Sequence, residues 1–192
     1  MSKIKLAFAT PNEWTQEVLK DFDQFLLDHA AAEKKASGMA VSMLSHYPDR
    51  VELVEEMASL AIEEMTHYRE VIRIIHQRGN ITAKDAKDPY VIEFRGHMRK
   101  TSEEYFLDRL IIGGIIEARG AERFSLIADA LEPGHLKNFY LSISRSEERH
   151  KDLMINLALM YFNQDEVESR LEELIHIEAN IIRKQPLRAA LH

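Results

Sequence analysis

Apolar positions in this chain recur at intervals of three and four residues over long stretches, and no strand-like alternation of any length interrupts them. The periodicity predicts five helices. The first opens at Thr10-Pro11-Asn12-Glu13, where a capping threonine, a proline at the first helical position and a glutamate three residues after the cap form a start signal. It runs to about Leu44 with one break between Asp21 and Asp28. HYPDR at 46–50 is a turn, and the second helix continues to Arg78, stopping at Gly79. Residues 80–100 read as irregular and polar, with Pro89 and Gly96 as breakers. Thr101 or Ser102 caps a third helix that Pro133-Gly134 ends, a fourth reaches about Phe162, and a fifth begins after NQDE and fades before Pro186.

Four of these helices have roughly 25–30 residues, which makes each about 40 Å long. Short connections join one to two and three to four, so each pair is expected to be an antiparallel hairpin. The connection between helices two and three is long enough to run from one end of a bundle to the other. The expected fold class is all-α: a four-helix bundle with a long crossover between helices two and three, plus a C-terminal helix, in a single domain over residues 1–192.

The helical stripes carry an unusual middle. In helix two the stripe runs Leu53, Met57, Leu60, then Glu64 and His67, then Val71 and Ile74. In helix four it runs Leu136, Tyr140, Ile143, then Glu147 and His150, then Met154, Leu157 and Tyr161. Helices one and three each place one glutamate on an apolar stripe, Glu33 and Glu117. Buried carboxylates cost several kcal/mol unless a cation compensates them. Two lone glutamates plus two Glu-x-x-His pairs are the ligand set of ferritin-like di-iron carboxylate bundles. Oxygen and nitrogen donors without sulfur suit iron or manganese better than a structural zinc.

The sequence contains four Glu-x-x-His matches. Glu132-Pro-Gly-His135 is broken by a turn, and Glu173-Leu-Ile-His176 lies with Arg170 and Asn180 on a face that reads as solvated. The rival reading makes some of the six candidates ordinary surface glutamates, with Glu63, Glu148 and Glu122 as the nearest competitors.

Composition narrows the chemistry further. The chain has 192 residues, 45% apolar and 30% charged, so it reads as one globular unit and not as a disordered segment. It has no cysteine, which removes disulfides, thiolate metal sites and cysteine nucleophiles. The N-terminal stretch MSKIKLAFATPNEW is too short for a signal-peptide core, and no run of 18 apolar residues follows, so a cytoplasmic protein without membrane spans is expected. The net charge of −7 excludes a general nucleic-acid coat protein while leaving room for a local basic patch.

Four segments, LLDHAAAEKKA, LAIEEMTHYREV, IIEARGAERF and RSEERHKDL, closely resemble the tRNA hydroxylase family of the MiaE type. The resemblance spans helices one to four. It implies a ferritin-like non-haem di-iron monooxygenase, which hydroxylates the isopentenyl side chain of 2-methylthio-N6-isopentenyladenosine beside the tRNA anticodon. It carries Glu33, Glu64, His67, Glu117, Glu147 and His150 over as the ligands of two iron ions. It also implies O2 as co-substrate and an external electron donor. No Gly-rich strand-to-helix turn marks a flavin or nicotinamide site, so a separate reductase is expected.

No catalytic residue beyond the metal ligands can be named. For the substrate, Gly113 and Gly114 sit one turn before Glu117 and either open a pocket or let two helices pack closely. Phe124 and Tyr68, with Phe25 and Leu110, are candidates to line such a pocket. Lys84, Lys87, Arg95, Arg99 and Lys100, interleaved with Tyr90, Phe94 and His97, read on their own as a solvated loop; the resemblance makes them expected tRNA contacts. Other readings stay open: a ferroxidase or iron-storage protein, a di-iron hydroxylase with another substrate, and a metal-free helical interaction module.

Overall fold

The computed structural model describes residues 4–192, so the first three residues of the N-terminal apolar stretch lie outside the described residues. The described residues form seven helices and no strand: α1 (Asn12–Lys20), α2 (Phe22–His46), α3 (Val51–Gln77), α4 (Pro89–Arg95), α5 (Ser102–Ala130), α6 (His135–Tyr161) and α7 (Gln164–Ile182). None of them is long and apolar enough to cross a membrane.

The predicted first helix is two helices, divided where the sequence suggested. Asp21 leaves helical geometry, and its side chain accepts a hydrogen bond from the Gln24 N–H as the N-cap of α2. Gly79 ends α3 as expected. With φ of 81° it takes the left-handed conformation that frees the Asn80 N–H to reach the Ile75 carbonyl. The segment 80–100 holds a short helix the apolar periodicity did not reveal, because seven residues make only two turns. Its signal was Asp88-Pro89: the Asp88 carboxylate caps the Val91 N–H, and Pro89 begins the helix where it was read as a breaker.

The chain divides into two compact units. One comprises residues 16–86 and 188–191, and its core is the α2–α3 hairpin. Ser37 on α2 donates to the Ala61 carbonyl on α3 at 2.8 Å, and apolar side chains such as Phe25, Leu26, Met43, Leu53, Met57 and Leu60 are buried. At the end of the α3 stripe it is Ile75, not the predicted Ile74, that is fully covered.

The other unit comprises the N-terminal segment to Thr15, residues 87–187 and His192. Its core is the α5–α6 hairpin, with α4 and α7 packed against it. Thr10, predicted as a helix cap, instead gives its hydroxyl to Glu122 at 2.6 Å and its N–H to the same carboxylate at 3.1 Å. That carboxylate also accepts from Arg119, which is fully buried and paired bidentately with Glu178 at 2.9 and 3.0 Å. Arg123 lies 4.6 Å from the Trp14 ring centroid. Burial, and then the positive charge of Arg119, bring Arg123 down to about 10. Asp108 is a second hub, bound by Arg99 and by Arg170. Arg170 was expected on a solvated face; it is buried because Asp108 neutralises it.

The α5–α6 contact is tight at one point. A Cβ added at Gly114 would meet Met154 Cβ and Ile4 Cδ1 at 3.2 Å and the Lys151 carbonyl at 3.4 Å. Gly114→Leu is expected to destabilise the fold by about 1–3 kcal/mol through overpacking. Gly38, mid-α2 with nothing within 4 Å of an added Cβ, behaves oppositely: Gly38→Ala is expected to stabilise by roughly 0.5–1 kcal/mol. Urea midpoints of the two variants check both signs.

Candidate metal centre

Ionisable residues break the apolar stripes of four helices at mid-length, and each hairpin brings its own set together. On α2 the buried stripe includes Leu26, His29, Ala30 and Glu33; on α3 it includes Leu60, Glu64, His67 and Val71. Spacings of three and four residues put each set on one helical face. Because the hairpin is antiparallel, the faces meet: His67 Nδ1 lies 3.3 Å from Glu64 Oε2 and 3.6 Å from Glu33 Oε2. One ligand-type atom from each of Glu33, Glu64 and His67 falls within 4.8 Å of the others.

The α5–α6 hairpin repeats the arrangement. Glu117 on α5 joins Glu147 and His150 on α6, again with ligand-type atoms within 4.8 Å of one another. His150 Nδ1 is 3.3 Å from Glu147 Oε2. Its Nε2 lies 3.4 Å from Ser146 Oγ, which also accepts a hydrogen bond from Arg149 at 3.0 Å. All six side chains are buried.

The electrostatics of the first triad show how strongly it favours positive charge. Burial pushes the Glu33 carboxyl up, but hydrogen bonds from His29 and His67 outweigh it and hold Glu33 below its usual range. Burial pushes His67 down, yet hydrogen bonds and charge from Glu33 and Glu64 raise it to about 10. Two carboxylates facing one imidazole therefore retain a proton well above neutrality, in the place where a divalent cation would bring more charge. Each triad offers two carboxylates and one imidazole, all buried and without sulfur, a donor set that fits iron or manganese.

The three competing glutamates are less buried than the six and differently partnered. Glu148 is exposed and paired with Lys151, Glu122 is held by Thr10 and Arg119, and the Glu63 carboxylate, more than a third exposed, lies 3.9 Å from His67 Nε2. Glu173 and His176 are both exposed, as read.

The candidate substrate residues fare differently. Lys84, Lys87, Arg95 and Lys100 are exposed, and so is His97. Arg99 is half-buried and tied to carboxylates: its guanidinium bonds Asp108 and Glu104, and its backbone N–H bonds Asp108 at 2.8 Å. Tyr90 and Phe94, expected to stack on bases, are fully buried. Tyr90 donates its hydroxyl to Glu178 at 3.2 Å and lies in a stacked arrangement with the His192 ring. Gly113 and Gly114 do not open a space; both face Met154, and close helix packing is the reason for the pair. Phe124 is buried with its ring centroid 5.8 Å from that of Tyr140. Tyr68 is half-buried under the Lys34 ammonium, 5.8 Å from the ring centroid.

His29 escaped the sequence reading. Its ring is fully buried and its Nε2 lies 2.6 Å from Glu33 Oε1. The signal was present, since Leu26, His29 and Glu33 follow the three–four spacing of a buried face.

Comparison with known proteins places the chain. A Pseudomonas putida protein named tRNA 2-(methylsulfanyl)-N(6)-isopentenyladenosine(37) hydroxylase is 29% identical over 187 residues, covering 97% of this chain and 91% of that protein. A Salmonella typhimurium protein of the same name is 30% identical over 155 residues, covering 81% of this chain and 56% of its own length. Among solved structures, a Synechococcus protein described as protein 43 with aldehyde deformylating oxygenase activity superimposes with a TM-score of 0.93 at 30% identity, covering 98% of this chain and 96% of that one. The fold is accordingly ferritin-like and all-α. Residues 2–192, a span that holds both triads, match the family tRNA-(MS[2]IO[6]A)-hydroxylase (MiaE), and the chain belongs to that family.

Proposed function

We propose that this chain is an O2-dependent non-haem di-iron monooxygenase that hydroxylates the isopentenyl side chain of 2-methylthio-N6-isopentenyladenosine next to the anticodon of tRNA. The observation that carries the reading is a family match over residues 2–192 in a chain whose two buried Glu-Glu-His triads fall on the matched helices. Glu33, Glu64, His67, Glu117, Glu147 and His150 together hold two iron ions. Four carboxylates balance the charge of two divalent ions, which removes the cost of burying them. Two imidazoles and four carboxylates would leave the bound ions open to O2.

Bound iron supplies the oxidising chemistry. The balance of the reaction is one C–H bond broken and one C–O bond formed. O2 gives one oxygen atom to the product, and the other leaves as water after two electrons and two protons are taken up. The electrons come from a separate reductase. The chain's own residues contribute dry surroundings within each hairpin: Leu60 and Val71 flank Glu64 and His67 on the covered face of α3, and Ile143 and Met154 flank Glu147 and His150 on that of α6. A cytoplasmic location follows from a tRNA substrate.

The test incubates iron-loaded protein, a reductant and O2 with tRNA that carries the isopentenyl modification, followed by nucleoside mass spectrometry. A gain of one oxygen on that nucleoside, with about two irons per chain, is the expected result. Two irons without product would overturn the substrate and keep the centre; no iron would overturn the centre.

A further inference from the structure

His29 is fully buried on α2, one helical turn before Glu33 and on the same face. A buried imidazole needs a partner, and its Nε2 has one at 2.6 Å in Glu33 Oε1, a length typical of hydrogen bonds to an ionised group. The ring is itself held in place, with its centroid 5.9 Å from that of the buried Phe25. The two oxygens of Glu33 thus face different groups. Oε1 is bound to His29, while Oε2 faces His67 Nδ1 at 3.6 Å, toward the middle of the triad.

A glutamate side chain has several rotatable bonds, and one anchored oxygen removes most of that freedom before any ion arrives. The residue one turn before Glu117 is Gly113, which carries no side chain, and its position is taken up by packing against Met154. We propose that His29 is a positioning residue that fixes Glu33 with one oxygen turned to the metal, and that it thereby raises the affinity of the α2–α3 triad for its ion. The inference rests on the dinuclear reading above and adds to it a residue that positions one of the ligands.

Partners that orient a metal ligand typically contribute 10–100-fold to affinity. The test is an anaerobic titration of the metal-free full chain with Co(II), read by visible absorption and by competition with a chelator. Wild type should bind in two separable steps. His29→Leu should weaken one step by about 10–100-fold and leave the other within about threefold, with an unchanged far-ultraviolet dichroism spectrum. His29→Gln, whose amide N–H can still reach Glu33, should recover most of the loss. Should His29→Leu fail to fold, His29→Asn, too short to reach Glu33, is read in its place against the same limits. Unchanged dissociation constants, an equal loss in both steps, or a His29→Gln no better than His29→Leu would each overturn the proposal. A wild-type chain that takes up no Co(II) would overturn the dinuclear reading itself.

Discussion

Glu147→Ala is expected to abolish hydroxylation while leaving the chain folded. Glu147 is buried on α6, 3.3 Å from His150 through its Oε2, and belongs to the triad completed by Glu117. Without it the triad has one carboxylate and one imidazole, too few donors to hold an ion against water. Metal activation contributes several kcal/mol to such reactions, so the rate should fall on the order of a thousandfold or more. Iron content should drop from about two per chain toward one. Stability should not fall with it, because removing one of several clustered carboxylates relieves repulsion in the metal-free protein. Nucleoside mass spectrometry, metal analysis and urea denaturation on one preparation separate these effects. Glu148→Ala is the matched control: its neighbour in sequence is exposed, paired with Lys151, and its loss should leave product formation unchanged. Retained activity in Glu147→Ala would remove the α6 carboxylate from the centre.

The second large effect is on stability, away from the two triads. Glu178 on α7 is fully buried and accepts both arms of the buried Arg119 guanidinium, together with the Tyr90 hydroxyl. Arg119 also donates to the Phe8 carbonyl at 2.8 Å and to Thr10 at 3.1 Å. One ion pair therefore ties α4, α5, α7 and the N-terminal segment. Removing one member of a buried pair leaves the other charged and uncompensated, at a cost of about 3–5 kcal/mol. For a chain of this size Glu178→Ala should lower the thermal midpoint by roughly 6–20 °C. The paired change Arg119→Met with Glu178→Leu should lose less than Glu178→Ala alone, because no buried charge is orphaned. Thermal melts of the three proteins decide it, and a single-variant loss below about 1 kcal/mol would place the pair among weak surface bridges.

The helices were legible because helix formation is local. Each backbone bond reaches four residues along the chain, so caps, breakers and the three–four apolar spacing are written within a few residues of where they act. Asp21, Gly79 and Pro133-Gly134 mark boundaries for that reason. The two triads were legible on the same principle. Glu64 with His67 and Glu147 with His150 are one turn apart, and their positions inside apolar stripes already state that they are buried. His29 follows the same rule, since it shares the covered face of α2 with Leu26 and Glu33.

What the sequence by itself determined, then, is the order and extent of the long helices, which face of each is covered, and which ionisable side chains share the covered face. What only the tertiary structure decided is the pairing of residues remote in sequence. Thr10 was read as a cap and binds Glu122, 112 positions away. Arg99 was read as a phosphate contact and is held by Asp108, which also takes Arg170, 62 positions away, off the surface where it was placed. Tyr90 and Phe94 were read as stacking platforms and are buried in their unit, Tyr90 bonded to Glu178 on α7. A charged or aromatic side chain in a loop is equally consistent with solvent, a ligand or a distant partner until the chain's path is known. Charge and hydrogen bonding act through space, and periodicity along one helix carries no record of which element arrives beside it.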